Sequence, residues 1–137
     1  MAEIKKILFV CIGNSCRSQM AEGFARKFGE GVIEAKSAGV EASGIVNLMA
    51  INAMKEKGID ISSQSSTQIT DEMLQWADVV ITLGCCSADE LCPVEFDGRK
   101  EDWCVDDPLG KAPEVMLTVT DEIEERVKKL IDEFRNS

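Results

Sequence analysis

The chain has 137 residues, of which 45% are hydrophobic and 29% are charged, and its formal net charge is −10. This length is usual for one domain, which buries roughly two-thirds of its unfolded surface, so we expect residues 1–137 to form a single domain without disulfide staples. The acidic balance argues against nucleic acid as a partner. The first apolar run is far shorter than the ~20 residues needed to cross a bilayer, so we expect a cytoplasmic protein with no membrane partner.

Apolar segments with strand and helix patterns alternate along the chain. Within residues 4–10, the run ILFV at 7–10 is continuous and apolar, which is typical of a strand buried on both faces. The predicted strands cover residues 4–10, 32–37, 78–83 and 102–105. The predicted helices cover residues 18–28, a segment ending near Gly58, a short helix capped by Thr70, and a last helix starting near Pro113. Residues 84–101 lack either periodicity and are interpreted as one long functional loop.

This alternation predicts an α/β fold: one open parallel sheet with helices on both faces, joined by right-handed crossovers. Ligands of such sheets bind beyond the carboxyl ends of the strands. The polar and thiol residues that follow the predicted strands are Cys11, Cys85, Cys86, Cys104, Asp106 and Asp107. We therefore expect the chemistry of the protein to lie along this one edge.

A cysteine, five residues and an arginine connect the first strand to the first helix. Gly13 permits a tight turn, and successive backbone N–H groups and the helix N-terminus then favour an anion. Arg17 adds a planar fork for two oxygens of that anion. The same positive groups favour the thiolate of Cys11, to which Ser15 or Ser18 can donate a hydrogen bond. The predicted oxyanion-binding residues are Gly13, Asn14, Ser15, Cys16, Arg17 and Ser18.

The segment FVCIGNSCRSQMAEG, residues 9–23, resembles the low-molecular-weight tyrosine phosphatase superfamily, and its arsenate reductase branch in particular. SAG at 37–39, GIDI at 58–61, ADVVITL at 77–83 and Asp107-Pro108 fall in the same order. The resemblance implies a four-stranded parallel sheet, a nucleophilic Cys11, Arg17 as anion clamp and an aspartate as proton donor. It favours Asp107 for that role, with Asp106 as a possible substitute.

Reducing arsenate requires two electrons, which a thiol enzyme supplies by ending as a disulfide. The resemblance implies that Cys11 attacks arsenic, a second cysteine expels arsenite from Cys11, and a third resolves the disulfide. Cys85 and Cys92 have the spacing of the resolving cysteines in thioredoxin-linked arsenate reductases, but the adjacent Cys86 departs from that pattern and can replace Cys85. We expect no cofactor and no metal. Thioredoxin is the expected electron donor, glutaredoxin the alternative, and phosphate and sulfate are competing oxyanions.

Two other functions remain open at this point. A tyrosine phosphatase would use the same loop through a phosphocysteine, although Gln19 replaces the usual proline, Leu109 stands where aromatics are usual, and the chain has no tyrosine. A non-catalytic oxyanion or metal-binding redox sensor is the alternative of another class. Its zinc version would use Cys85, Cys86, Cys92 and Cys104, whose spacing lacks a Cys-x2-Cys pair. Cys104, beside Trp103, is otherwise predicted to be a core thiol.

Overall fold

The computed structural model describes residues 4–84, 87–92, 96 and 98–136. Its centre is one four-stranded sheet in the order β2-β1-β3-β4, with every neighbouring pair parallel. The strands are β1 (Lys5–Cys11), β2 (Ile33–Gly39), β3 (Val79–Leu83) and β4 (Arg99–Trp103). The predicted parallel sheet is therefore confirmed, and its carboxyl edge carries Cys11 at the end of β1.

Five helices surround the described sheet and form two apolar layers. They are α1 (Arg17–Phe28), α2 (Leu48–Glu56), α3 (Asp71–Trp76), α4 (Ala88–Leu91) and α5 (Pro113–Arg135). Alternate residues of β1 point to opposite faces, so Phe9 packs with α1, α2 and α5, whereas Leu8 packs with α3 and α4. Helices on both faces are thus confirmed. None of the described helices is long and apolar enough to cross a membrane.

The helix starts follow local capping chemistry. Thr70 caps α3 as predicted, because its side chain accepts a hydrogen bond from the backbone N–H of Met73. Pro113 occupies the first turn of α5, where its missing N–H would have no partner. Asn47 caps α2 by accepting from the N–H groups of Met49 and Ala50.

The fourth strand starts three residues and ends two residues earlier than the sequence predicts. It runs from Arg99 to Trp103, and its pairing partner β3 lies on one side only. An edge strand has only half of its surface to bury and often carries charged side chains, so β4 lacks the apolar run that revealed the inner strands. The predicted fourth strand is present, but its bounds of 102–105 were placed too late for this reason.

Two related predictions also need correction. Residues 84–101 are not one irregular loop, because they contain the single-turn helix α4 and the first residues of β4. Cys104 is not a core thiol: it follows the end of β4 and is exposed, whereas Trp103 and Val105 on either side of it are buried.

Candidate active site

The loop between β1 and α1 turns its carbonyl groups toward the surrounding protein. Backbone N–H groups from residues 40–47 donate to these carbonyls at 2.8–3.1 Å, and Gln19 Nε2 donates to the carbonyl of Asn14 at 2.9 Å. The backbone donors are Val40, Glu41, Ser43 and Asn47, which bond the carbonyl oxygens of Cys11, Ile12, Gly13 and Ser15 respectively. Ser66 Oγ gives Gly13 a second donor at 3.1 Å. Hydrogen bonds from the surrounding protein to its carbonyl oxygens therefore hold the loop in place.

The opposite side of this loop consists of hydrogen-bond donors. Within the part of the chain that is described, the backbone N–H groups of residues 12–16 have no recorded hydrogen-bond partner. Asn14 adopts a left-handed conformation with φ of 48°, and a residue of this kind between right-handed neighbours brings successive N–H groups together. The N-terminus of α1 begins immediately afterwards, at Arg17. These donors and the helix dipole suit an anion.

Cys11 lies at the start of this loop, and its sulfur contacts the hydroxyl group of Ser18. The Cys11 side chain is buried, and its Sγ lies 2.8 Å from Ser18 Oγ. Of the two predicted donors, Ser18 therefore makes this contact; Ser15 has no recorded side-chain hydrogen bond to the described residues. A hydroxyl donor at this distance stabilises negative charge on sulfur.

Asn14 and the residues behind it brace the loop. Asn14 Nδ2 donates to Ser18 Oγ at 2.8 Å and to Ser37 Oγ at 2.9 Å, and its Oδ1 accepts from the N–H of Thr67 at 2.7 Å. Ser37 in turn donates to Glu22 Oε1 at 2.5 Å. The side chain of Asn14, predicted to bind the anion, is thus fully engaged with protein groups, and only its backbone faces the donor side.

Glu22 is a buried support that sequence reasoning did not single out as functional. It lies within the apolar part of α1, and its pKa is raised by burial, an effect opposed by the hydrogen bond from Ser37 and by the nearby charge of Arg26. Arg26 pairs with it at 2.7 Å. The sequence signal for Glu22 was its position beside alanine, glycine and phenylalanine on the core side of the predicted helix. A glutamate is seldom buried without a partner, so this position indicated a specific role.

The guanidinium of Arg17 is buried and tied to the far side of the site. Its Nη1 donates to the carbonyl oxygen of Val105 at 2.9 Å. Val105 lies just beyond β4, at the start of the segment that contains the predicted proton donors. One N–H of the guanidinium is used in this bond, which orients the planar group.

The two candidate acids, Asp106 and Asp107, are both exposed. Asp107 Oδ1 accepts from the N–H of Leu109 at 3.0 Å, which holds the turn before α5. The pKa of Cys16 is raised to about 12, chiefly by burial and also by electrostatic interaction with Cys11 and Asp107, whereas Arg17 acts to lower it. Cys16 therefore stays a thiol at neutral pH, and Asp107 acts electrostatically on the Cys11 loop.

Of the remaining predicted thiols, the structure describes two, Cys92 and Cys104, and they differ in burial. Cys92 is buried on the sheet face covered by α3 and α4, and this burial raises its pKa, whereas Cys104 is exposed. Cys85 and Cys86 lie outside the described residues. Among the residues that are described, no group of three or more histidine, cysteine or acidic residues is arranged to hold a metal ion.

Comparisons with known proteins place this geometry in one family. The profile of the family described as low molecular weight phosphotyrosine protein phosphatase matches residues 6–137. Arsenate reductase 2 of Staphylococcus saprophyticus is 47% identical over 129 residues, which cover 93% of this chain and 97% of that protein. A solved arsenate reductase in the phosphate binding state is 46% identical with a TM-score of 0.84, covering 96% of this chain and 99% of that one. An arginine phosphatase from Geobacillus stearothermophilus also has a TM-score of 0.84, at 30% identity and with 96% and 94% covered.

Proposed function

The chain belongs to the low molecular weight phosphotyrosine protein phosphatase family, and we propose that within this family it is an arsenate reductase that converts arsenate to arsenite. Its identity to the named arsenate reductases is well above its identity to the arginine phosphatase, although the fold is equally similar. A shared fold does not fix the reaction, so the residues of the site must decide it.

One observation carries the oxyanion site: the backbone N–H groups of the loop after Cys11 lie opposite its carbonyl groups, which are bonded to the surrounding protein. The choice of arsenate rests on the identity to the named arsenate reductases. The N–H groups of residues 12–16 have no recorded partner among the described residues, and the N-terminus of α1 and the guanidinium of Arg17 adjoin them. Such a cradle suits a tetrahedral oxyanion. Phosphate and sulfate share this shape and would compete with arsenate.

The first chemical step is attack by Cys11 on arsenic. The thiolate forms a sulfur–arsenic bond while one arsenic–oxygen bond breaks, and the departing oxygen takes a proton and leaves as water. Asp107 is the proposed proton donor, with Asp106 as its substitute, because this segment follows the strand that ends beside Arg17. Arg17 and the loop N–H groups stabilise the charge on the remaining oxygens.

The second step transfers the electrons. A thiolate, from Cys85 or from Cys86, attacks the sulfur of Cys11 and forms a disulfide with it. The electron pair of the sulfur–arsenic bond goes to arsenic, and arsenite leaves. Cys92 then attacks the second cysteine and releases Cys11 as a thiolate. Two thiols have become one disulfide, which balances the two electrons gained by arsenic.

An external dithiol must restore the reduced enzyme, so no bound cofactor is needed. Thioredoxin is the proposed donor and glutaredoxin with glutathione the alternative. We place the reaction in the cytoplasm, where thiols are kept reduced. The decisive assay follows NADPH consumption with arsenate, comparing thioredoxin and its reductase with glutathione and glutaredoxin. Absence of arsenate turnover with either system, together with hydrolysis of a small aryl phosphate, would favour the phosphatase instead.

Variants of the cysteines separate reduction from hydrolysis. Cys92→Ser is expected to release one arsenite per enzyme and then stop with Cys11 in a disulfide, which mass spectrometry would detect. The double substitution of Cys85 and Cys86 by serine is expected to stop before arsenite is released. Both should still hydrolyse an aryl phosphate, since that reaction does not use the relay. Cys104→Ser is the matched control and is expected to turn over arsenate like the parent; parental turnover by the Cys92 variant would contradict the relay.

The anion site itself is tested by two further substitutions. Cys11→Ser is expected to abolish both reactions, because an alkoxide does not form readily where the thiolate did. Arg17→Lys is expected to be severely impaired in both, because a point charge does not replace the planar fork. Parental rates in either variant would show that the loop is not the site of the reaction.

A further inference from the structure

Gly84 leaves a space that the guanidinium of Arg17 occupies. Gly84 directly follows β3 and has a left-handed φ of 76°. A Cβ built on it would lie 2.3 Å from Arg17 Nη1 and 2.4 Å from the carbonyl oxygen of Val105. Real Cβ atoms essentially never make contacts under 3.0 Å. These two atoms are the donor and acceptor of the hydrogen bond that orients Arg17.

Other left-handed glycines lack this crowding. Gly31, Gly44 and Gly110 have φ values of 80°, 85° and 78°, and a Cβ on any of them would meet nothing within 4 Å. Their backbone conformation alone accounts for glycine at those positions. Gly84 has the same backbone requirement and, in addition, direct contact with the guanidinium of the proposed anion clamp.

We infer that Gly84 is a positioning residue for the oxyanion reaction: its missing side chain seats the guanidinium of Arg17 against the carbonyl of Val105. A methyl group at Gly84 would push Nη1 away by about 1 Å to restore an ordinary contact distance. Displacements of about that size, in groups that hold a reacting anion, reduce rates by up to roughly a hundredfold. The inference rests on the proposed function only in taking Arg17 as the anion clamp, so it holds for phosphate as well as for arsenate.

The test compares Gly84→Ala with Gly31→Ala in the full-length protein, using inorganic phosphate as the probe. Phosphate bound in the loop should protect Cys11 from iodoacetamide, and mass spectrometry measures the modified fraction at Cys11. Both variants introduce alanine at a left-handed position, but Gly31 lies in the α1–β2 turn at the opposite end of the sheet. We expect the phosphate concentration for half protection to rise about tenfold or more in Gly84→Ala, and less than about twofold in Gly31→Ala. Parental protection in Gly84→Ala overturns the inference.

A double-mutant cycle keeps the inference testable if Gly84→Ala does not fold. In an Arg17→Met background the guanidinium is gone, so Gly84→Ala should lower the melting temperature by less than it does in the parent. An equal or larger loss in that background, or failure of Gly84→Ala to fold in both backgrounds, overturns the inference. Parental phosphate protection in Arg17→Met also overturns it, because Arg17 would then not hold the anion. Failure to reduce arsenate with phosphate protection intact removes only the proposed reductase function.

Discussion

At the scale of single residues, the hydroxyl of Ser18 forms a hydrogen bond with the sulfur of Cys11. Its Oγ lies 2.8 Å from Cys11 Sγ and also accepts from Asn14 Nδ2, which leaves its hydrogen free to point at the sulfur. Ser18→Ala removes a hydrogen bond of about 1 kcal/mol, so we expect alkylation of Cys11 at neutral pH to slow roughly threefold to tenfold. Iodoacetamide kinetics measure this directly. A greater loss in Ser15→Ala would show that the other serine is the donor.

Glu22 gives the protein a predictable dependence on pH. Burial raises its pKa above the ordinary value of 4.5. The folded state therefore holds the proton more tightly than the unfolded state, and the stability that Glu22 contributes is fully present below pH 4.5 and is lost as the pH rises through the folded pKa. Glu22→Gln resembles the protonated side chain at every pH. We expect the free energy of unfolding of this variant, relative to the parent, to increase as the pH is raised from about 4 to about 7.

The control for Glu22 is a second glutamate in the same local arrangement. Glu122 pairs with Arg126 four residues later, as Glu22 pairs with Arg26, but the side chain of Glu122 is 38% exposed whereas that of Glu22 is only 7% exposed. Glu122→Gln should follow the parent closely over the same pH range, because exposed ion pairs contribute little to stability. Urea unfolding at several pH values compares the three proteins. Identical pH profiles for the two variants would contradict the role assigned to burial.

At the scale of elements, the single-turn helix α4 immediately precedes the buried Cys92. Asp102 Oδ1 accepts from the backbone N–H of Ala88 at 2.9 Å and from Thr82 Oγ1 at 2.6 Å, so it ties the first residue of α4 to the sheet. Cys92 follows this helix and is buried. In the proposed relay this thiol must reach another cysteine. We therefore expect α4 to open during the reaction.

Loosening α4 should expose Cys92 more often. Asp102→Ala leaves the N–H of Ala88 without its acceptor, and we expect alkylation of Cys92 in the folded protein to become about threefold to tenfold faster. Glu90→Ala is the control, because Glu90 also lies on α4 but is exposed and is not among the groups that shift the pKa of Cys92. Mass spectrometry of timed samples gives both rates. Equal acceleration by the two substitutions would mean that Asp102 has no special role in holding the helix.

At the scale of the whole molecule, α5 closes the larger of the two apolar layers. It packs against α1 and α2, and Ile123 lies fully buried in its centre. Ile123→Ala should reduce the free energy of unfolding by roughly 2–5 kcal/mol through lost burial and the cavity left behind. Leu117 on the same helix is half exposed, and Leu117→Ala should change stability by no more than about 0.5 kcal/mol. Similar losses in the two variants, measured by urea unfolding, would contradict this assignment of the core.

The whole molecule also explains how an acidic chain can hold an anion. The net charge of −10 opposes anion binding at long range. The loop between β1 and α1 supplies positive partial charges within a few ångströms of the anion. These charges come from its backbone N–H groups, while the carbonyl groups of the same loop are bonded to the surrounding protein. A short-range anion site of this kind depends on how the loop is held, and here Gln19, Ser66 and the segment 40–47 hold it through its carbonyl groups.

The sequence by itself determined the inner architecture and the motif. Strands buried on both faces are apolar throughout, so β1 and β3 were evident, and the cysteine, glycine and arginine between β1 and α1 predicted an anion loop because each supplies a distinct local property. The family resemblance on the same residues was confirmed. The sequence placed the fourth strand a few residues too late, because an edge strand with charged residues carries no apolar signature.

Only the tertiary structure decided which groups meet across the chain. Arg17 donates to Val105, a residue far along the chain. Hydrogen bonds also connect Cys11 to Glu22 by way of Ser18, Asn14 and Ser37. Cys92 is buried by residues from several elements. Local patterns of hydrophobicity and turn chemistry describe neighbours along the chain and contain no information about such contacts. The exposure of Cys104 was decided in the same way, by where the edge strand ends against β3.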